Sequence, residues 1–113
     1  MLFRSKEYQE VVNMQEEADI TTYLRDKLCG YILQDKLAMR STNYERYVNV
    51  AWLRGCLGKR CHNCSDVLMY ERNERGNIVS NLTAQRINND LAHELDNILP
   101  FCVECNRAMS NRE

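Results

Sequence analysis

The chain has 113 residues, enough for one domain or for one domain with a helical extension. Apolar residues make up 44%, ordinary for a globular protein, and one Pro and four Gly argue against disorder. No window approaches the roughly 18 apolar residues of a membrane-spanning helix, and the formal net charge of −1 offers no bulk field for phosphate. Segment 54–113 balances eight Lys/Arg against eight Asp/Glu, so any nucleic-acid contact has to use local Arg clusters. Arginine outnumbers lysine eleven to four, and guanidinium suits bidentate contacts with phosphate or carboxylate.

Residues 1–18 read as weakly helical, with Tyr8, Val11, Val12 and Gln15 at roughly helical spacing. The next stretch carries a stronger signal. Ile20, Tyr23, Leu24, Leu28, Tyr31 and Ile32 fall on one face and predict a helix over 20–39, capped at its start by Asp19 or Thr21. Gly30 costs that helix about 1 kcal/mol, which the stripe outweighs. The segment 40–43 ends it, and a short helix over 49–58 follows, with Val50, Leu53 and Leu57 inward, Trp52 beside them, and Gly58 as terminator.

Residues 59–64 form a turn, and 66–71 read as a strand. A polar turn at 72–77 leads to a returning strand over 78–87, giving a β-hairpin with a longer loop. Another turn follows at 88–90. Pro100 limits a helical turn at 96–99, and 103–111 suits a last helix. The expected fold class is α+β: N-terminal helices (1–58) packed on a hairpin-plus-helix unit (59–113), in one compact domain.

Two pairs, Cys61-His62-Asn63-Cys64 and Cys102-Val103-Glu104-Cys105, are each C-x-x-C. Two intervening residues let one tight turn aim both sulfurs at one point. Four thiolates about 2.3 Å from one ion make a closed structural zinc site, so Cys61, Cys64, Cys102 and Cys105 are the predicted zinc ligands. The competing readings are two disulfides or reduced core cysteines. The absence of an apolar run in residues 1–19 favours a reducing, intracellular setting over a secreted one. Cys29 and Cys56 fall on helices among apolar residues and read as buried free thiols. Asn63-Cys64-Ser65 and Asn81-Leu82-Thr83 match the glycosylation pattern, a short signal that recurs by chance. His62 reads as a polar filler of its turn.

The run from Leu82 to Asn89, then His93-Glu94-Leu95-Asp96-Asn97-Ile98-Leu99-Pro100, continues into Cys102-Val103-Glu104-Cys105-Asn106-Arg107. With Tyr47 to Leu53 ahead of Cys61, this resembles zinc-bound HNH endonuclease-like domains of the kind found in phages and large DNA viruses. The resemblance covers residues 47–113 and touches 20–39 only loosely. It implies a treble-clef-like ββα unit, a nucleic-acid partner such as DNA, an infected cell or virion interior as setting, and Mg or Mn at the reaction centre of an active member.

In such domains an Asp-His pair at a strand end supplies a metal ligand and a general base, a middle Asn orients the loop, and a later His or Asn completes the metal site. Carried over by the resemblance, the middle Asn is Asn97 and the last position is Asn106. The Asp-His pair falls on Gln85 and Arg86, which is a departure. A neutral amide is a poor ligand for a hard divalent cation, and a guanidinium stays protonated and is no base near neutral pH. His93 is then the candidate base, with Asp90, Glu94 and Asp96 as its nearest acids in sequence. Arg86 and Arg107 are the candidate phosphate clamps. Two functions follow: an HNH-like nucleic-acid-binding protein with weak or lost cleavage, or a structural module that kept the zinc fold and binds a protein partner.

Overall fold

The computed structural model describes residues 5–110. The first element is one helix, α1, Ser5–Leu37. The expected boundary near residue 19 is absent because Asp19 does not cap: its carboxylate accepts from Gln15 Nε2 at 2.9 Å and from Arg72 Nη2 at 2.6 Å. At 1.5 Å per residue, α1 is about 50 Å long and accounts for most of the 60 Å long axis of the molecule. Residues 1–4 and 111, which the sequence reading placed in helices, lie outside the described residues.

The C-terminal half of α1 buries Ile20, Leu24 and Tyr31, with Tyr23, Leu28 and Ile32 packed around them, as the stripe predicts. The N-terminal half leaves Val11 and Met14 well exposed. The helix ends two residues earlier than expected. Met39 takes the left-handed conformation (φ 57°), Met39 N–H bonds Lys36 O, and Arg40 N–H bonds Asp35 O at 2.9 Å. This is the Schellman arrangement, which satisfies the last carbonyls, here with a non-glycine residue at the left-handed position.

A 3-10 turn at Tyr44–Arg46 leads to α2, Val50–Cys56. Asn49 caps α2 by accepting from Trp52 N–H at 2.8 Å, and Leu53 is fully buried against α1. Gly58 terminates the segment with φ 93°, a conformation that costs glycine least.

Two small antiparallel sheets follow. β1, Tyr70–Arg72, pairs with β2, Ile78–Ser80; β3, Leu82–Arg86, pairs with β4, Ile98–Cys102. The single hairpin expected from 66–71 and 78–87 is thus two sheets, divided at Asn81. Its amide explains the division: Oδ1 accepts from Met69 N–H, Nδ2 donates to Val67 O at 3.0 Å, and its backbone carbonyl accepts from Val103 N–H.

β4 runs through Pro100, where the sequence reading placed only a helical turn. That turn exists as a 3-10 turn at Leu95–Asn97, and the strand begins directly after it. Pro100 faces Ala84 at a position that needs no ladder donor. Ala84 N–H points away to Tyr31 Oη at 2.9 Å, and Pro100 O points away to His62 N–H at 2.8 Å. The last helix is α3, Val103–Ser110. Among the described residues the architecture is α+β, three α-helices and two small sheets, and one buried cluster runs from Ile20 and Leu24 through Leu53, Leu68 and Leu82 to Phe101.

Among the described residues no helix is long and apolar enough to cross a membrane. Arginines tie the halves together at the surface. Arg54 forks onto Glu17 at 2.8 and 2.9 Å, and Arg72 holds both Glu16 and Asp19 from β1.

Candidate metal centre and the loop beside it

Cys61 and Cys64 sit on a narrow loop built by backbone bonds. Leu68 N–H bonds Lys59 O and Cys61 N–H bonds Asp66 O, both at 2.7 Å, with Arg60 paired opposite Val67. Ser65 turns the chain with φ 68°, and Arg60 Nη1 donates to Ser65 O at 2.9 Å. The bond from His62 N–H to Pro100 O lays this loop beside the end of β4, with the His62 ring stacked on Phe101. Cys102 ends β4 and Cys105 lies in the first turn of α3, so the second pair is presented by a strand-to-helix junction.

The four sulfurs lie within 4.8 Å of one another, the only group of three or more metal-capable side chains among the described residues. Sulfurs about 2.3 Å from a common ion at tetrahedral angles stand about 3.8 Å apart. Cys64 and Cys102 Sγ are 3.8 Å apart. Cys102 N–H points at Cys61 Sγ at 3.2 Å, Cys105 N–H at Cys102 Sγ at 3.4 Å, and Asn63 Nδ2 at Cys105 Sγ at 3.3 Å. Burial pushes the Cys61 thiol up, but the backbone N–H groups of Cys64, Cys102 and Asn63 outweigh it and bring it down to about 6. Cys64 moves the other way, to about 12; the Asp66 N–H favours its thiolate, but burial and the three neighbouring sulfurs prevail. Four sulfurs this close repel one another as thiolates, and a bound cation would offset that repulsion.

All six cysteines are free, so the two-disulfide reading is not realised. Cys56 is buried as expected, but Cys29 is exposed: it lies on α1 off the face that meets the core. Both sequon asparagines are engaged within the chain, Asn63 on Cys105 Sγ and Asn81 on Val67 O.

The other candidate residues surround the loop between β3 and β4. Asn97 is buried and closes that loop: Oδ1 accepts from Asn88 N–H, and Nδ2 donates to Asn88 O and Ala92 O at about 3 Å. Arg86 donates to the carbonyls of Asn89 and Leu91 in the same loop. Asn106 Nδ2 reaches Thr83 Oγ1 at 3.4 Å from α3. Gln85 Nε2 donates to Arg86 O, leaving Gln85 Oε1 buried with no hydrogen-bond partner. Arg107 lies apart, in a groove it shares with Asp66, Glu71 and Glu104.

His93 is only 3% exposed and its partner is Asp35, none of the three acids near it in sequence. The fully buried Asp35 carboxylate accepts from Arg40 Nη1 at 3.0 Å, from the Tyr47 hydroxyl, from His93 N–H at 3.0 Å and from His93 Nδ1 at 2.9 Å. A carboxylate only accepts, so Nδ1 carries the proton. The imidazole face stacks on Tyr31 with centroids 4.4 Å apart. Burial pushes the Asp35 carboxyl up, yet its donors bring it down to about 2, while burial holds the His93 imidazole below its ordinary value. Asp96 instead pairs with Arg46 at the surface.

Sequence reasoning missed Asp35, Arg40 and Tyr47. The available signal was Asp35 itself, an acid on the same helical face as Ile20, Leu24 and Tyr31, where a carboxylate requires dedicated donors. Comparison with protein-family models, with curated proteins and with solved structures found no match.

Proposed function

We propose that this chain is a zinc-stapled, HNH-like binding module that engages a partner without cutting nucleic acid. Zinc is the ion that four thiolates in a closed tetrahedral arrangement suit best. The four-cysteine cluster supports that reading, and the resemblance carried by residues 47–113 is what supports the HNH-like one.

The observation that carries the loss of cleavage is His93. The chain has two histidines. His62 belongs to the metal loop, and His93 is buried with Nδ1 fixed on Asp35. A general base must reach the proton it removes from an attacking water. Gln85 and Arg86 supply neither base nor carboxylate, so nothing at the strand end favours a hard divalent ion.

Geometry favours a protein partner over DNA. Arg86 is occupied by loop carbonyls, and Arg107 stands among three carboxylates, a setting that repels phosphate. The test is a cleavage assay on zinc-loaded protein with plasmid, single-stranded and branched DNA in magnesium or manganese. No cleavage above background is expected. Efficient cutting would overturn the proposal, and loss of that cutting in His93→Ala with zinc content unchanged would make His93 the base.

A further inference from the structure

The β1–β2 hairpin has two faces. Tyr70, Arg72 and Ile78 turn toward α1, where Tyr70 and Arg72 meet Glu16 and Ile78 is buried. Met69, Glu71 and Val79 line a groove on the other face, with α3 as its far wall. The groove has a volume of about 500 Å³, within the range of ligand clefts, roughly 300–1,000 Å³. Its floor is apolar and open: Met69 is 54% and Val79 37% exposed. Its rim is acidic, with Asp66, Glu71 and Glu104 against the single cation Arg107. None of these three carboxylates forms an ion pair among the described residues, whereas Glu16, Glu17, Asp19 and Asp96 each hold an arginine. Cys102 also borders the groove, and four thiolates around one dication add a net charge of about −2 behind it.

An apolar floor within an unneutralised acidic rim selects one chemistry. Phosphate is repelled, and a neutral apolar segment leaves three carboxylates unanswered. A cationic segment with apolar side chains in alternation satisfies both, because extended backbone sends successive side chains to opposite sides. We propose that this groove is a docking site for an extended Lys/Arg-bearing segment of a partner protein, seated with apolar side chains on Met69 and Val79 and cationic ones toward Glu71 and Glu104. The proposal deepens the reading of the chain as a non-cleaving module and rests on it.

The test is a titration of the isotope-labelled, zinc-loaded full chain with a nine-residue peptide alternating lysine and leucine, followed by NMR. A peptide with glutamate in place of lysine serves as control, and the same preparation is assayed for DNA cleavage. Saturable shifts at Met69, Glu71, Val79 and Glu104 are expected, weakening with salt, with no response to the control. Glu71→Gln with Glu104→Gln should weaken binding at least tenfold while zinc content and the remaining spectrum stay unchanged. Should the double variant misfold, Met69→Ser at the exposed floor replaces it and should weaken binding severalfold.

The proposal falls if the lysine peptide gives no saturable shift, or if the glutamate peptide binds equally. It also falls if an oligonucleotide shifts the groove residues, or if those residues shift with protein concentration alone, which would make a second copy the occupant. DNA cutting by the same preparation would refute the non-cleaving module, while the titration judges the groove separately.

Discussion

Asp35 and His93 stand 58 positions apart in the chain, and their carboxylate Oδ2 and imidazole Nδ1 are 2.9 Å apart in a fully buried site. The contact joins the last turn of α1 to the loop before β4, and Tyr47 and Arg40 close on the same carboxylate from the intervening segment. One side chain thereby fixes three stretches of backbone.

Removing that side chain should be among the most damaging single changes in the protein. Asp35→Ala leaves a buried hydroxyl, an imidazole N–H and a backbone N–H unanswered, and breaking a buried pair from one side costs about 3–5 kcal/mol. Asp35→Asn keeps the shape and one acceptor and should cost less. Urea unfolding of the two variants checks the order. Near-equal stability of Asp35→Ala and the parent would contradict the role given to this carboxylate.

The same network sets a pH dependence. The folded pKa of Asp35 is depressed to about 2, so its contribution is present above the unfolded carboxyl value and is lost as pH falls through that range toward 2. His93 is also held below its ordinary value, so the unfolded chain takes up its proton first and stability declines as pH drops through the ordinary imidazole range. Both effects have one sign: acid destabilises, in two stages. Thermal unfolding from pH 8 to 3 should show both, and Asp35→Asn should shrink the lower stage, to which Glu17 on Arg54 and Asp19 on Arg72 also contribute.

Metal removal should be more damaging still, if zinc is the ion held. Structural zinc contributes roughly 10–16 kcal/mol in small domains, as much as the whole stability of a typical domain, about 5–15 kcal/mol. Cys64→Ser or Cys105→Ser should abolish binding of one zinc per chain and melt the β3–β4 sheet with α3. Cys29→Ala and Cys56→Ala together should leave the metal content unchanged. Elemental analysis with circular dichroism reads both results.

Two backbone positions should accept stabilising changes. Gly30 is inside α1, and a Cβ there meets nothing within 4 Å, so Gly30→Ala should gain about 0.5–1 kcal/mol. Met39 sits at φ 57° with its side chain 90% exposed, so Met39→Gly should gain about 1 kcal/mol by relieving the left-handed conformation. Midpoints of denaturant unfolding should rise for each and add for the pair, because the sites are nine residues apart, more than two helical turns.

What the sequence disclosed follows the reach of each signal. The α1 stripe and each C-x-x-C pair are short-range patterns: the stripe is buried where expected from Ile20 to Ile32, and the four cysteines come together. The amide of Asn97 bonds Asn88 and Ala92 within the loop between β3 and β4 and does not bridge that loop to a helix. The split between β2 and β3 depends on what one amide, Asn81, bonds across 12 and 14 residues. β4 was hidden because Pro100 argues against a strand unless its missing N–H faces away from the ladder. The partner of His93 was illegible for the same reason: the acid that holds it is remote in sequence, and nearness along the chain pointed to the wrong carboxylates.

The continuity of α1 has a consequence for how evenly the molecule breathes. An isolated helix of a dozen or so residues is marginal in water, and the N-terminal turns of α1 bury little of themselves. They persist as an extension of a rod anchored from Glu16 onward, where Arg72, Arg54 and then the core take hold. Amide hydrogen exchange along this one helix should therefore run as a gradient, fast over the first turns and slowing toward Ile20 and Leu24. A protease that trims the fast end would shorten the rod without opening the core.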